Sequence, residues 1–135
     1  MGKFFELISY QAVAGFRERH EADCEASVML EIDGERIHTA SGGTGPINAL
    51  DRALREALAR KYPEVGQFHL SDYTVRATNA SMGTATPVEV VVIMRDDSDC
   101  SEWREISIHP NIIEASWQAL VDSIDYKLLI AEEKR

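Results

Sequence analysis

One order of hydrophobic periodicities runs along the 135 residues twice, and that repetition constrains the fold more tightly than any other feature of the chain. In the first pass, Leu7–Ala14 is a β-branched and aromatic run with loose alternation, the pattern of a strand. The polar stretch Arg17–Asp23 reads as a loop. A second strand follows over Glu25–Ile32, with Val28, Leu30 and Ile32 on one face. Asp33-Gly34 is a two-residue hairpin signal, and Glu35–Ser41 reads as the third strand. After Gly42-Gly43-Thr44-Gly45, Pro46 suits the first position of a helix, where no N–H is needed. Ile47, Leu50, Leu54, Ala57 and Leu58 then form a helical stripe, and Tyr62-Pro63 stops it.

The second pass repeats this order. Phe68–Thr78, Pro87–Arg95 and Glu102–His109 read as strands, with a polar turn at Asp96–Ser101. Asn111 is a good N-cap with Glu114 at the N3 position, a near-match to a capping box. Ile113, Trp117, Leu120, Val121, Ile124 and Leu128 make the second stripe, and the polar tail Ala131–Arg135 is expected to fray. Ala49, Ala53 and Leu54 align with Ala115, Ala119 and Leu120 sixty-six residues on; Tyr10 and Val28 align with Tyr73 and Val91 sixty-three on. The difference is expected between the second and third strands, where the turn lengths differ. The fold class expected is therefore α+β: two tandem β-β-β-α units, about 4–63 and about 67–130, of pseudo-two-fold symmetry within one domain over 1–135. Each unit is an antiparallel three-stranded sheet with one helix, and the two are expected to cover each other.

Composition excludes several function classes. With 23 acidic against 14 basic residues the chain carries a formal charge of −9, the wrong sign for neutralising a phosphate backbone, so no nucleic acid is expected. No apolar run approaches the ~18 residues that span a bilayer, so no membrane is expected. Met1–Ile8 contains Glu6 and lacks a small-residue cleavage site, so a signal peptide is not expected. Cys24 and Cys100 form no C-x-x-C and read as reduced thiols, in keeping with a cytoplasmic protein. A chain of this length buries roughly two thirds of its unfolded surface and needs neither disulfide nor metal for its core.

The motifs of phosphate loops, serine hydrolases and zinc proteases are absent. His20 and Cys24 sit four apart, but no second pair joins them, and solvated loop side chains are the plainer reading. Asp96-Asp97-Ser98-Asp99 opens like a calcium loop, yet lacks glycine at the sixth position and carries Ser107 at the twelfth, so a solvated turn is expected. His38, His69 and His109 have no nucleophile nearby in sequence, and Asn79-Ala80-Ser81 is a glycosylation sequon without meaning in the cytoplasm. No base, nucleophile and orienter assemble, so no catalytic residue, metal or cofactor is expected.

Both units place a loop directly before a helix start, at Gly43-Thr44-Gly45 and at Pro110-Asn111. Free N–H groups and the positive end of the helix dipole there suit a carboxylate. A further small-residue loop, Ser81–Thr86, leaves room for an aliphatic group, and Asp72 is an acid to hold an ammonium. A small amino acid carries all three features. Turns and caps use glycine just as readily, so these residues alone leave both readings open.

Four segments carry a resemblance: Gly43–Leu54 (GTGPINALDRAL), Leu70–Arg76 (LSDYTVR), Gly83-Thr84-Ala85, and Asn111–Leu128 (NIIEASWQALVDSIDYKL). Together they resemble the C-terminal LeuA allosteric (dimerisation) domain of the 2-isopropylmalate synthase and citramalate synthase family, over about Phe5–Leu129, and look closer to the citramalate branch. The resemblance implies two β-β-β-α units and end-product feedback, with leucine or isoleucine bound at a homodimer interface. It implies a site of Gly43, Gly45, Ile47 and Asn48 in the first loop, Leu70, Tyr73 and Ala77 on a strand, Met82 and Thr84 in the third loop, and Ile112 at the second helix start. Gly83 and Ala85 match the same loop motif and would shape that pocket. Thr44 stands where the family usually has asparagine, and Arg104–His109 replaces a small, glycine-containing run, which puts the loop geometry of the second unit in question.

The family's catalytic part, an acetyl-CoA-dependent acyltransferase, resembles a metal-dependent barrel of more than about 200 residues and does not fit this chain. An excised domain or a stand-alone regulatory protein is expected, acting on a catalytic region in the same or a separate chain. Two other functions are weighed: a purely structural dimerisation module without effector, and a small enzyme built on Asp72, His109 and Glu114. The last requires those three side chains within hydrogen-bond reach.

Overall fold

The computed structural model describes residues 4–17 and 20–133, with the side chains of 16, 17, 20–22 and 80 outside that description. The chain divides into two compact units, one ending at Val65 and the other beginning at Gly66. Each is an antiparallel three-stranded sheet followed by a helix, so the fold is α+β with the expected element order.

In the first unit the strands are β1 (Glu6–Arg17), β2 (His20–Ile32) and β3 (Glu35–Gly43), in the order β1-β2-β3, followed by α1 (Pro46–Ala59). The β2–β3 turn has φ 52° at Asp33 and 80° at Gly34, the two positive values that a two-residue hairpin of this hand requires. Alternation on β2 places Ala26, Val28, Leu30 and Ile32 on the helix side, and β3 adds Ile37 and Thr39. Against them α1 buries Ala49, Leu50, Ala53, Leu54, Ala57 and Leu58. Each large aliphatic so buried contributes roughly 1.5–3 kcal/mol. The buried Thr39 hydroxyl is satisfied by the Ala53 carbonyl at 2.7 Å. Arg17–Asp23 departs from the expected loop: β1 runs to Arg17, β2 begins at His20, and these two residues pair. Val13, Ala14, Gly15 and Asp23 are exposed, so this extension of the ladder carries no apolar alternation to announce it.

The second unit holds β4 (Phe68–Ala77), β5 (Val88–Asp96) and β6 (Glu102–His109), in the order β4-β5-β6, then α2 (Ile112–Glu133). Val90, Val92 and Met94 are fully buried beneath Ala115, Ala119, Leu120, Ile124 and Leu128. The Trp103 ring meets Phe68 edge-on at 5.5 Å, and its Nε1–H is donated to the Ser123 carbonyl at 2.9 Å. Arg104–His109 is an uninterrupted part of the β5–β6 ladder, so the unusual segment after Trp103 makes an ordinary strand. The tail is helical through Glu133, further than the expected fraying from Ala131.

Register corrects one step of the repeat alignment. Tyr10 lies opposite Val28, and Tyr73 lies opposite Val92, so Val92 rather than Val91 is the partner of Val28. A one-residue slip would turn the whole buried row of β5 outward. One of the three extra residues of the second unit therefore falls between β4 and β5, where the chain leaves the ladder and makes the 3₁₀ turn Ala80–Ala85. The first unit continues its ladder at the corresponding place. No helix among the described residues is long and apolar enough to cross a membrane.

Candidate functional site

The first cluster of expected residues lies at the start of α1. A Cβ on Gly43 would fall 2.6 Å from the Ala49 nitrogen and 2.7 Å from Asn48 Oδ1, so only glycine lets the helix start approach the end of β3 this closely. Thr44 donates its N–H to Asn48 Oδ1 at 3.0 Å, and its hydroxyl reaches the same oxygen at 3.4 Å. Gly45 is the N-cap and offers no side-chain cap; Pro46, at the first helical position, has no N–H. Ala49 donates to the Gly45 carbonyl at 3.0 Å, which leaves Ile47 and Asn48 to present their N–H groups at the positive end of the helix. The first turn of α1 holds no acid to oppose an anion.

The start of α2 differs from the expectation. Asn111 Oδ1 accepts from the N–H groups of Ile113 at 2.8 Å and Glu114 at 3.2 Å, so the protein's own side chain fills this cradle. The N–H of Asn111 is itself donated to His109 Nδ1 at 2.9 Å. What α2 offers at its start is the exposed aliphatic side chain of Ile112.

The second cluster lies on β4. Leu70 is opposite Met94, Tyr73 opposite Val92 and Ala77 opposite Val88, which puts all three on the helix-side face of the sheet. Leu70 and Tyr73 are three apart and would alternate on a regular strand; the irregularity between Leu70 and Asp72 restores them to one face. Because α2 lies over β5 and β6, this face of β4 is left largely open, and Leu70, Val75 and Ala77 are exposed on it. Val75, opposite Val90, belongs to the same face and was not among the expected residues. At the end of β4 the chain enters the turn that holds Met82, Gly83, Thr84 and Ala85. Gly83 kinks it at φ 60°, ψ −135°, and its carbonyl accepts from the Thr86 hydroxyl at 2.7 Å. Ala77, Val88 and His109 lie across the sheet in one row, so this turn and Ile112 belong to the same end of the second unit.

Other candidates are dispersed. Asp72 lies opposite Ile93, on the far face of the sheet from Tyr73, so it is not the ammonium partner its sequence neighbourhood implied. The trio Asp72, His109 and Glu114 is not assembled. Asp72 and His109 occupy the two edge strands and oppose Ile93 and Val88 of β5, five positions apart or about 16 Å along the strand. Among the described residues no group of three or more His, Cys, Asp or Glu is placed to hold a metal, and the His20 side chain lies outside them. A concavity of about 280 Å³ lies against Gln11, Val13, Glu25, Ala26, Ser27 and Ala40, and it includes none of the expected site residues.

The β5–β6 turn is more than a solvated loop. Asp96 is almost wholly buried, and Lys127 Nζ sits 2.7 Å from its Oδ2, 3.5 Å from Asp99 Oδ2 and 5.1 Å from the centre of the Trp103 ring. The place a bound cation would take is filled by this ammonium. Burial pushes the Asp96 carboxyl up, but hydrogen bonds from Lys127 and Ser98 outweigh it and hold the group below its ordinary range. Asp99, held chiefly by the Ser101 hydroxyl and N–H, is lowered to about 2. Sixty-six residues earlier, Lys61 pairs with Asp33 at the equivalent turn, a repeat of the same brace that the sequence pattern alone did not disclose.

A family model for the LeuA allosteric (dimerisation) domain matches residues 1–128. The chain belongs to that family. It is 41% identical over 134 residues to an (R)-citramalate synthase of Geobacter sulfurreducens and 43% identical over 132 residues to one of Aquifex aeolicus; each match takes in 97% of this chain and 25% of the relative. A 2-isopropylmalate synthase of Solidesulfovibrio magneticus is 29% identical over 110 residues, 82% of this chain and 19% of the relative. The chain thus spans about a quarter of the length of these two citramalate synthases.

Proposed function

We propose that this chain is the feedback-regulatory and dimerisation domain of a citramalate or 2-isopropylmalate synthase-type acyltransferase, working in the cytoplasm and binding leucine or isoleucine. The observation that carries this reading is the family match over residues 1–128, joined to relatives named as synthases of both kinds. Each unit, taken by itself, offers a feature suited to such a ligand. The α1 start offers amide N–H groups for a carboxylate without a side-chain cap. The open face of β4, with Leu70, Tyr73 and Ala77, and the small-residue turn Met82–Ala85 offer apolar surface for a branched side chain. In this reading the site forms in a homodimer, and the amino acid favours one state of the attached catalytic region, in the same or a separate chain.

Thermal melting tests it, because a ligand that binds only the folded state raises the melting temperature. Leucine or isoleucine at millimolar concentration is expected to raise it by several degrees, with alanine as the inactive control. A melting temperature indifferent to both would leave a dimerisation module without effector, the second reading, which the Asn111 cap over the α2 start favours.

A further inference from the structure

Ser116 stands in the packed interface between α2 and its sheet, fully buried. The position corresponds to Leu50 of the first unit, sixty-six residues earlier and also fully buried. An apolar side chain therefore satisfies the packing there, and a hydroxyl in its place calls for a partner. Its partner is the Tyr73 phenol: Ser116 Oγ lies 2.7 Å from Tyr73 Oη. The Tyr73 ring packs on the cluster of Val90, Val92, Ala115 and Ala119, while its strand faces the open surface with Leu70, Val75 and Ala77. One hydrogen bond from the buried side thus fixes the far end of the ring, on a wall otherwise made of aliphatic side chains that lack any such anchor. In the first unit Tyr10 occupies the same register opposite Val28, and the residue at the position of Ser116 is Leu50.

We infer that Ser116 is a positioning residue of the effector site, holding the Tyr73 ring in the orientation that receives the aliphatic side chain of the bound amino acid. This rests on the reading that Tyr73 lines that site. The test is calorimetric titration of L-isoleucine and of L-leucine into the 135-residue chain and into Ser116→Ala, Tyr73→Phe and the double variant. For whichever amino acid the parent binds, Ser116→Ala is expected to weaken binding about five- to tenfold, Tyr73→Phe by a similar factor, and the double variant no further, since both remove the same bond. A purely structural serine would instead give losses that multiply. Should Ser116→Ala fail to fold, Tyr73→Phe removes the bond from its half-exposed side, and its affinity decides. Parent-like affinity in the single variants, or multiplying losses in the double, overturns the inference while leaving the effector reading intact. A parent chain that binds neither amino acid overturns the effector reading itself, and the inference with it.

Discussion

Single residues carry much of what is specific here. Gly43→Ala puts a methyl group against the Ala49 nitrogen and the Asn48 amide, so the α1 start must move; a loss of about 1–3 kcal/mol by chemical denaturation is expected, together with weaker effector binding. Lys127→Met leaves Asp96 buried without its cation and is expected to cost about 3–5 kcal/mol. The carboxyls of Asp96 and Asp99 lie below their unfolded value of 3.8, so the stability they add is present above that pH and is lost as pH falls through their folded values, about 2 for Asp99. Acid melts should show this loss in the parent and lack the Asp96 part of it in Lys127→Met. Glu105 behaves oppositely: burial, and then the nearby Asp122 carboxylate, raise its pKa above 4.5. Its folded form holds the proton more tightly than the unfolded chain, so stability declines as pH rises from 4.5 through the raised value. Glu105→Gln should therefore raise the melting temperature at pH 7 and leave it unchanged below about pH 4. The sequence disclosed the glycines and the N-cap, whose chemistry is local. It did not disclose Ser116 or Lys127, whose meaning depends on what the sheet brings opposite them.

At the scale of elements, alternation and turn chemistry made nearly every strand and both helices legible, because β2, β3, β5 and both helices bury an apolar row and the turns and helix starts carry proline, Asp-Gly or Asn signals. Two features escaped for physical reasons. The end of the β1–β2 ladder, at Arg17 and His20, lies in a stretch of polar composition beyond the exposed Ala14 and Gly15, so that composition resembled a loop. The equivalence of Val28 with Val92 was hidden by a run of valines, Val90-Val91-Val92, in which identity says nothing about facing. The register makes a direct prediction: Val92→Ala should cost about 2 kcal/mol and Val91→Ala about 1 kcal/mol or less, as read from urea unfolding. Equal costs would mean that the pairing of β4 with β5 is misassigned. The irregularity at Ser71 is the other register device, and without it Leu70 would face away from Tyr73.

The whole molecule holds two units of the same element order that differ in detail. The first keeps a helix start without a side-chain cap and a plain hairpin. The second caps its helix with Asn111, breaks its ladder to form the Met82–Ala85 turn, and ties Tyr73 to Ser116. The sequence suggested two equivalent carboxylate cradles; the structure leaves one, at α1. The resemblance located the family, and the match over residues 1–128 establishes it. The proposed effector site is tested most directly by following backbone amide signals by NMR while L-isoleucine or L-leucine is added. One of them is expected to shift the amides of Gly43–Gly45, Ile47, Asn48, Leu70–Ala77, Met82–Ala85 and Ile112 in a saturable way. Saturable shifts confined to the concavity around Gln11 and Ser27, or no shifts with either amino acid, would contradict it.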